Sequence, residues 1–137
     1  MTNNSLPPEL LRVVDANLNR LKEGIRVIED IARYVHNNKD LSTSLKNLRH
    51  LCQIEPIEEL LASRDSANDV LRPTIQSEMN RTDLKSIIIA NYKRAQESSR
   101  VLEELYKIVG PALSEQFKHI RYELYTLEKK NILGLDQ

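Results

Sequence analysis

The sequence predicts an all-α protein, a pseudo-symmetric four-helix bundle in which two antiparallel helical hairpins are joined by a long polar loop. Three observations lead to this prediction. Apolar residues recur at steps of three and four, which is the spacing of an amphipathic helix. No stretch alternates convincingly at period two, as a half-buried strand would. One helical segment also occurs twice, as ANLNRLKEGIRVIEDIARYV at 16–35 and ANYKRAQESSRVLEELYKIV at 90–109.

The repeat is informative because it includes polar positions. At a constant offset of 74 the segments share Asn17/Asn91, Arg20/Arg94, Glu23/Glu97, Arg26/Arg100 and Glu29/Glu103. Further on, Arg49 recurs as Arg121 at an offset of 72, so the unit is a helical hairpin present twice. Exposed ion pairs contribute too little stability to keep such identities in both copies. The repeated polar residues therefore indicate either hydrogen bonding between helices or a site, and both interpretations stay open.

The first hairpin is predicted over about 9–52. Its first helix begins near Pro7 and Pro8, because proline is tolerated in a first helical turn, and it ends near 36–38. The predicted buried seam is Val14, Leu18, Leu21, Ile25, Ile28, Ala32 and Val35. The second helix starts at Lys39 or Asp40 and runs antiparallel to the first, since the connection is short. Its inward residues are predicted to be Leu41, Leu45, Leu48, Leu51 and Cys52.

A short helix, PIEELLAS, is predicted to open at Pro56, and regular patterns then stop. The segment 63–81, SRDSANDVLRPTIQSEMNR, shows neither helical nor strand periodicity and is rich in charge. A connection of this length inside a compact domain is usually functional or disordered. This loop is therefore the second place to look for a site.

The second hairpin is predicted over about 83–130, with Thr82 as the cap of its first helix. That helix has the seam Ile88, Ala95, Leu102, Leu105 and Val109. Gly110 and Pro111 stop one helix and start the next. The last helix has the inward residues Leu113, Phe117, Ile120, Leu124 and Leu127, and the tail NILGLDQ is interpreted as an appendage. The whole chain, 1–137, is interpreted as a single domain.

The bulk composition excludes several functions. Twenty Lys and Arg residues balance twenty Asp and Glu residues, so no net field attracts nucleic acid or a membrane surface. The single cysteine excludes an intramolecular disulfide and a thiol metal site. The N-terminal sequence has no signal-peptide pattern, and no segment has the length of a membrane span. We expect a soluble cytoplasmic protein, and a homodimer as its assembly.

Two groups of side chains suggest chemistry. The repeated arginines can form an anion clamp, because a guanidinium matches phosphate with two hydrogen bonds. In the loop, Asp65 and Asp69 either cap turns or hold Mg²⁺, which takes few carboxylates and completes its shell with water and phosphate. The histidines, at 36, 50 and 119, lack metal-ligand spacing, and there is no glycine-rich phosphate loop.

These motifs, with RDSANDV between the hairpins and FKHIRYELYTLEK at the end, resemble a known helical domain over roughly residues 10–130. That domain precedes thiamine-phosphate synthase in some bacteria or stands alone. It is assigned as a second, non-ribokinase-like class of hydroxymethylpyrimidine phosphate kinase. The resemblance implies a role in thiamine biosynthesis. The implied reaction is the phosphorylation of 4-amino-5-hydroxymethyl-2-methylpyrimidine phosphate to the diphosphate, with Mg²⁺ and with ATP as co-substrate.

The family's positions carry over onto Asn17, Arg20, Glu23, Arg26, Glu29, Arg64, Asp65, Asp69, Asn91, Arg94, Glu97, Arg100, Glu103 and Arg121. From the resemblance we expect phosphate ligands at Arg64, Arg94 and Arg100, and Mg²⁺ ligands at Asp65 and Asp69. Asn91 and Glu97 are expected to bind the aminopyrimidine edge, with further substrate contacts from Asn17, Arg20, Arg26 and Arg121. One departure is Leu71, where the family's loop has a glycine, and a side chain there hinders close approach of the backbone to phosphate.

Two other functions are compatible with the same residues. In the first, the domain is not catalytic and binds a thiamine precursor or docks on thiamine-phosphate synthase as a regulatory partner. In the second, it is an interaction bundle whose polar repeat only fixes the register of the two hairpins. Ligand-induced stabilisation separates them, since only the kinase responds to both the pyrimidine phosphate and ATP.

Overall fold

The structure is a computed structural model that describes residues 6–55, 57–73 and 83–134. The described part of the chain is all-α and contains no strand, which confirms the predicted class. The helices are α1 (Pro8–Asp30), α2 (Lys39–His50), α3 (Ile57–Ser63), α4 (Leu84–Tyr106) and α5 (Pro111–Leu133). A π-helical turn, Ile31–Val35, continues α1, and a 3₁₀ turn, Ser66–Asn68, follows α3. Among these ranges, no helix is both long enough and apolar enough to cross a membrane.

Helices α1 and α4 lie at the centre of the molecule, because the two most extensive helix–helix contacts are those of α1 with α4 and of α4 with α5. α1 packs against α2, α3 and α4, while α4 also packs against α5 and α2 touches α5. The largest fully buried side chains include Leu21, Ile25 and Ile28 of α1, and Tyr92 and Leu102 of α4. The core therefore lies beneath α1 and α4, and their outer faces are left for other contacts.

The start of α1 matches the prediction, but the predicted end of its seam is wrong at one residue. Pro8 occupies the first turn, and Val14 to Ala32 of the predicted seam are buried. Val35, in contrast, is 53% exposed. The π-helical turn takes more residues per turn than an α-helix, so the three-and-four spacing stops predicting which side faces the core.

In α2, Asn38 is the N-cap and accepts a hydrogen bond from the backbone N–H of Leu41 at 3.0 Å. The predicted inward residues are buried except Leu51, which is 45% exposed. The reason is local: Leu51 is the residue that ends the helix, so the helical spacing no longer sets its direction. Cys52 follows, buried, with its Sγ donating to the carbonyl of Leu48 at 3.4 Å.

We predict that the thiol of Cys52 is unreactive while the protein is folded. Burial raises its pKa to about 12, and the thiolate is the species that reacts. Iodoacetamide at about pH 8 should leave the native protein unmodified over the time in which free cysteine is fully alkylated, as mass spectrometry would show. In guanidinium chloride the same reaction should be complete, and rapid labelling of the native state would contradict the burial.

The same shift of the pKa affects stability in a defined direction. An unfolded thiol has a pKa of about 8.5, whereas the folded thiol keeps its proton to much higher pH, so the free energy of unfolding falls as pH rises through this interval. A Cys52→Ala variant should lose that contribution to the pH dependence.

The second hairpin begins and continues largely as predicted. Asp83 is the N-cap of α4 and accepts from the backbone N–H of Ser86 at 2.7 Å, while the predicted cap, Thr82, lies outside the described residues. Ile88, Ala95 and Leu102 are buried, and the predicted seam residues Leu105, Val109 and Leu113 are partly buried. Pro111 opens α5 directly after Gly110.

The interpretation of the tail as an appendage is wrong for its first residues. Helix α5 continues to Leu133, and Gly134 ends it in the left-handed conformation, with φ of 68°. Asn131 donates from Nδ2 to the hydroxyl of Tyr92 at 3.0 Å. The beginning of the tail is therefore part of the helix and is bonded to α4.

The repeat in the sequence reappears as repeated bonding. Glu29 on α1 accepts from Arg49 on α2 at 2.6 Å, and the equivalent Glu103 on α4 accepts from Arg121 on α5 at 3.0 Å. In both α1 and α4 the repeated asparagine donates from Nδ2 to the carbonyl four residues earlier, Asn17 to Val13 at 2.9 Å and Asn91 to Ile87 at 2.8 Å. Part of the polar repeat thus joins the two helices of each hairpin, one of the two interpretations left open above.

Candidate functional site

Two adjoining clefts open on the outer face of α1 and share Asn17, Arg20 and Asp69. The α1–α4 cleft, about 460 Å³, is also lined by Leu71, Arg94, Glu97, Ser98 and Val101. The loop cleft, about 400 Å³, lies between α1 and the segment after α3. Its further lining residues are Glu9, Arg12, Val13, Asp15, Ala16, Asn19, Arg64, Asp65 and Ser66. Together the clefts bring predicted site residues of both hairpins and the loop to one surface.

The α1–α4 cleft forms where the two helices approach closely. A Cβ placed on Gly24 would lie 3.2 Å from the carbonyl oxygen of Asn91 and 3.5 Å from the Cβ of Ala95. Further along, Asn17 shares the cleft with Ser98 and Val101. The pairing order shows that α1 and α4 run in opposite directions.

An antiparallel pair of repeated helices has approximate two-fold symmetry. Since Gly24 lies opposite 91–95 and Asn17 opposite 98–101, the middle of the crossing falls near residues 20 and 94. Arg20 and Arg94, which are equivalent in the repeat, are therefore the pair closest to the symmetry axis. Beneath them Leu21 and Ala95 are fully buried.

Arg20 and Arg94 are the two cations that line the α1–α4 cleft. Both side chains are exposed, and neither forms a hydrogen bond or ion pair with residues 6–55, 57–73 or 83–134. Two guanidinium groups that have no ion pair can donate together to an anion between them, although the carboxylates of Asp69 and Glu97 line the same cleft. Phosphate and carboxylate are the anions that this planar donor geometry matches.

The segment after α3 is attached to α1 by an ion pair. Arg64 donates to both carboxylate oxygens of Asp15, from Nε at 2.7 Å and from Nη2 at 2.8 Å. Asp15 is buried, and its hydrogen bonds and charge raise the pKa of Arg64. Arg12 adds a bond from Nη2 to the backbone carbonyl of Asp65 at 2.9 Å. Most of the Arg64 guanidinium is thus used to position the loop, which leaves Nη1 for a ligand.

Asp15 was not among the predicted site residues. It directly precedes the repeated Ala–Asn pair, and its equivalent in the second hairpin is Ile89. A carboxylate where the other copy has an isoleucine indicates a contact that only the first hairpin makes. That difference between the copies was the available signal.

We predict that Asp15→Asn weakens ligand binding by releasing the loop. The substitution removes the charge that holds Arg64, so amides of residues 65–71 should exchange hydrogen faster. Because the Arg64 side chain is 43% exposed, the cost in stability should be small. Affinity for a phosphorylated ligand of the clefts should fall by roughly tenfold, about the value of one charged hydrogen bond.

Asp30→Asn is the matched control for this change. Asp30 lies on the same helix and pairs with Arg26 at 3.4 Å, on the surface and outside both clefts. It should leave exchange at 65–71 and ligand affinity unaltered. Equal effects of the two variants would show that the ion pair does not position the loop.

The two loop carboxylates cap turns in the structure. Asp65 accepts from the backbone N–H of Asn68 at 3.3 Å and from its Nδ2 at 2.7 Å, and these bonds lower the pKa of Asp65. Asp69 accepts from the backbone N–H of Leu71 at 3.0 Å through Oδ1. Within the described ranges, no group of three or more His, Cys, Asp or Glu side chains is placed to hold a metal. Asp65 and Asp69 can therefore supply two ligands of a Mg²⁺ ion, and its remaining ligands would have to be water and substrate phosphates.

The remaining predicted site residues lie outside the two clefts, and three of them are paired with acidic side chains. Arg26 pairs with Asp30, Arg100 with Glu103 at 3.5 Å and Glu104 at 3.2 Å, and Arg121 with Glu103. Asn91 lies at the α1–α4 crossing, beside Gly24. The clefts bring Asn17, and not Asn91, together with Glu97.

Most of the chain is similar to known proteins. Residues 12–130 match the ThiD2 family. The chain is 39% identical over 129 residues to thiamine-phosphate synthase of Synechocystis sp., covering 93% of this chain and 37% of that protein. It is 40% identical over 124 residues to the enzyme of Nostoc punctiforme (90% and 35%), and 42% identical over 120 residues to one from Prochlorococcus marinus (85% and 34%). The chain thus spans little more than a third of the length of these curated relatives. No solved structure matches it.

Proposed function

This chain belongs to the ThiD2 family, and from that premise we propose that it acts in thiamine biosynthesis as an ATP-dependent phosphotransferase. The proposed reaction converts 4-amino-5-hydroxymethyl-2-methylpyrimidine phosphate to the diphosphate. The relatives named thiamine-phosphate synthase support the pathway. The observation that carries the reaction class is the pair of arginines without an ion pair, Arg20 and Arg94, at one cleft.

The reaction needs little from the protein beyond positioning and charge. An oxygen of the substrate's own phosphate, already deprotonated, forms a bond to the γ-phosphorus of ATP. The bond from that phosphorus to the β–γ bridging oxygen breaks, and ADP leaves with its electron pair. No proton has to be removed, so a general base is unnecessary. Arg20 and Arg94 bind phosphate oxygens and reduce the repulsion between the two anionic substrates.

The loop supplies the other charged groups. Asp65 and Asp69 would hold Mg²⁺, which neutralises phosphate charge during phosphoryl transfer. Arg64, fixed by Asp15, lines the loop cleft with them, and its Nη1 has no partner among the described residues. In this arrangement the loop carries both signs of charge next to Arg20.

The pyrimidine ring is assigned to Asn17 and Glu97. Glu97 is exposed and has no partner among the described residues, so its carboxylate can accept from the exocyclic amine. The Asn17 amide has one N–H committed to Val13, which leaves its second N–H for a ring nitrogen. Val101 offers an apolar surface beside them.

Thermal unfolding followed by a turnover assay tests the proposal. The protein is heated with Mg²⁺ alone, then with the pyrimidine phosphate, then with ATP, and diphosphate formation is measured by chromatography. A ligand at a concentration of a hundred times its dissociation constant should raise the free energy of unfolding by about 2.7 kcal/mol. Stabilisation by both ligands together with formation of the diphosphate is expected. No stabilisation by either ligand would favour the interaction bundle.

A non-catalytic partner of thiamine-phosphate synthase is the second candidate, and Leu71 favours it. Leu71 lines the α1–α4 cleft and is 82% exposed, where a glycine would let the backbone approach phosphate. This candidate predicts stabilisation by the pyrimidine phosphate alone, with no effect of ATP and no turnover. It also predicts that the chain copurifies with a separately expressed synthase.

A further inference from the structure

The repeat specifies a second set of residues across the symmetry axis from the α1–α4 cleft, and the two sets are called here the halves of one groove. The first half consists of Asn17, Glu97, Ser98 and Val101. Under the offset of 74, and with the roles of α1 and α4 exchanged, these positions become a second half. Its residues are Asn91, Glu23, Gly24 and Val27.

Contacts in the structure support this equivalence. Gly24 lies against the backbone of Asn91, as the antiparallel symmetry requires for the counterparts of Ser98 and Asn17. Both asparagines bond the carbonyl four residues earlier, which fixes the two amides in the same way. Arg20 and Arg94 lie between the halves and belong equally to both.

Each half contains the same set of chemical groups. Glu23, like Glu97, is exposed and forms no hydrogen bond or ion pair in the described part of the chain, although its charge also acts on Arg64, and Val27 is 37% exposed. A carboxylate accepts from an exocyclic amine, an asparagine amide pairs with the adjacent ring nitrogen, and a valine packs against the ring face. Such a set recognises an aromatic ring that has an amino group next to a ring nitrogen.

Both substrates of the proposed reaction have that edge. The 4-aminopyrimidine and the adenine of ATP each present an amine beside a ring nitrogen, and each is linked to phosphate. We infer that the groove binds the two substrates head to head, one ring in each half, with their phosphates meeting between Arg20 and Arg94. This inference rests on the proposed function and adds a nucleotide site to it.

The halves differ in a way that assigns the substrates. Asp69 and Leu71 border the first half, and the segment that contains them has no second copy in the chain. The first half is therefore the more enclosed and takes the smaller pyrimidine phosphate. The second half has Gly24, packed against the backbone of Asn91, in place of Ser98, and no described loop segment borders it, so it takes the larger adenosine nucleotide.

Two equivalent substitutions test the assignment by calorimetric titration. Glu97→Gln should weaken binding of the pyrimidine phosphate by about tenfold or more, since one charged hydrogen bond is lost. The affinity for a non-hydrolysable ATP analogue should stay within about twofold of the wild-type value. Glu23→Gln should do the reverse. It should also reduce the preference for the adenosine over the inosine nucleotide, because the glutamine amide can donate to the carbonyl of inosine. Glu123→Gln, on α5 and outside both clefts, is the control and should change neither affinity.

The failures of this inference and of the proposed function are distinguishable. If the wild type forms the diphosphate but Glu23→Gln leaves nucleotide affinity and the adenosine preference unchanged, the second half is not the nucleotide site. If Glu97→Gln weakens nucleotide binding and Glu23→Gln weakens binding of the pyrimidine phosphate, the two substrates are assigned to the wrong halves. A wild type that binds no nucleotide and forms no diphosphate would end both proposals. Circular dichroism of each variant should be measured to check that it is folded.

Discussion

Alanine at both Arg20 and Arg94 is expected to abolish measurable stabilisation by phosphorylated ligands and to reduce kcat/KM by about a thousandfold or more. Hydrogen bonds to charged groups contribute about 1.5–3 kcal/mol each, and a guanidinium at the transferring phosphate can be worth more. These two side chains are the cations at the centre of the α1–α4 cleft. Each single variant should lose a part of the effect, and the two parts need not add because both arginines bind the same phosphates.

The same double variant should remain as stable as the wild type. Neither arginine has an ion pair with the described residues, and the two positive charges repel across the crossing. Unfolding in urea should therefore give an unchanged or slightly higher midpoint. Lysine at both positions keeps the charge but loses the planar fork, so it should recover only part of the activity. Arg33→Ala, an exposed arginine outside both clefts, is the control and should have wild-type turnover.

Two results would contradict this prediction. A double variant that still binds the pyrimidine phosphate and ATP normally would remove the arginine pair from the site. A double variant that is strongly destabilised would show that the arginines connect the hairpins, as in the interaction bundle. Stability and turnover must accordingly be measured on the same preparations.

The fold class and most helix ends were predictable because their causes are local. Pro8 and Pro111 open helices since proline fits a first turn, and the seams follow from the helical period. The predictions that Val35 and Leu51 are buried were wrong because the helical period changes there, at a π-helical turn and at a helix end. A periodic pattern assumes a constant number of residues per turn, so it fails at such places.

The sequence separates the four repeated arginines into two pairs. Arg26 and Arg100 have an acid four residues later, Asp30 and Glu104, and the structure pairs them with it. Arg20 and Arg94 have Gly24 and Ser98 at that spacing, although each also has a glutamate three residues later. The i, i+4 position alone distinguishes the two unpaired arginines from the two paired ones.

Pairs between helices could not be derived in this way. Arg49 and Arg121 lie on the second helix of each hairpin, and nothing in their spacing shows that they reach Glu29 and Glu103. The same holds for Asp15 and Arg64, which are far apart in the chain. These contacts depend on the angle between helices, which periodicity does not determine.

The buried pair Glu29–Arg49 leads to the prediction with the largest effect on stability. The Glu29 side chain is only 2% exposed, and Arg49, at 2.6 Å, is its partner. Arg49→Met would leave a buried carboxylate without a counter-charge, which costs about 3–5 kcal/mol. Urea unfolding should show this loss. A Glu29→Leu/Arg49→Met double variant should recover most of it, because two apolar side chains replace both charges.

The repeat provides the matched comparison for this pair. Arg121→Met removes the equivalent partner of Glu103, but Glu103 keeps a second arginine, Arg100, at 3.5 Å. It should therefore cost clearly less than Arg49→Met, although the two sites are related by symmetry. Arg49 and Arg121 lie outside both clefts, so the variants should bind ligand normally wherever they remain folded. Equal losses would mean that Arg100 does not compensate, and a loss of affinity in a stable variant would place the second helices of the hairpins in the site.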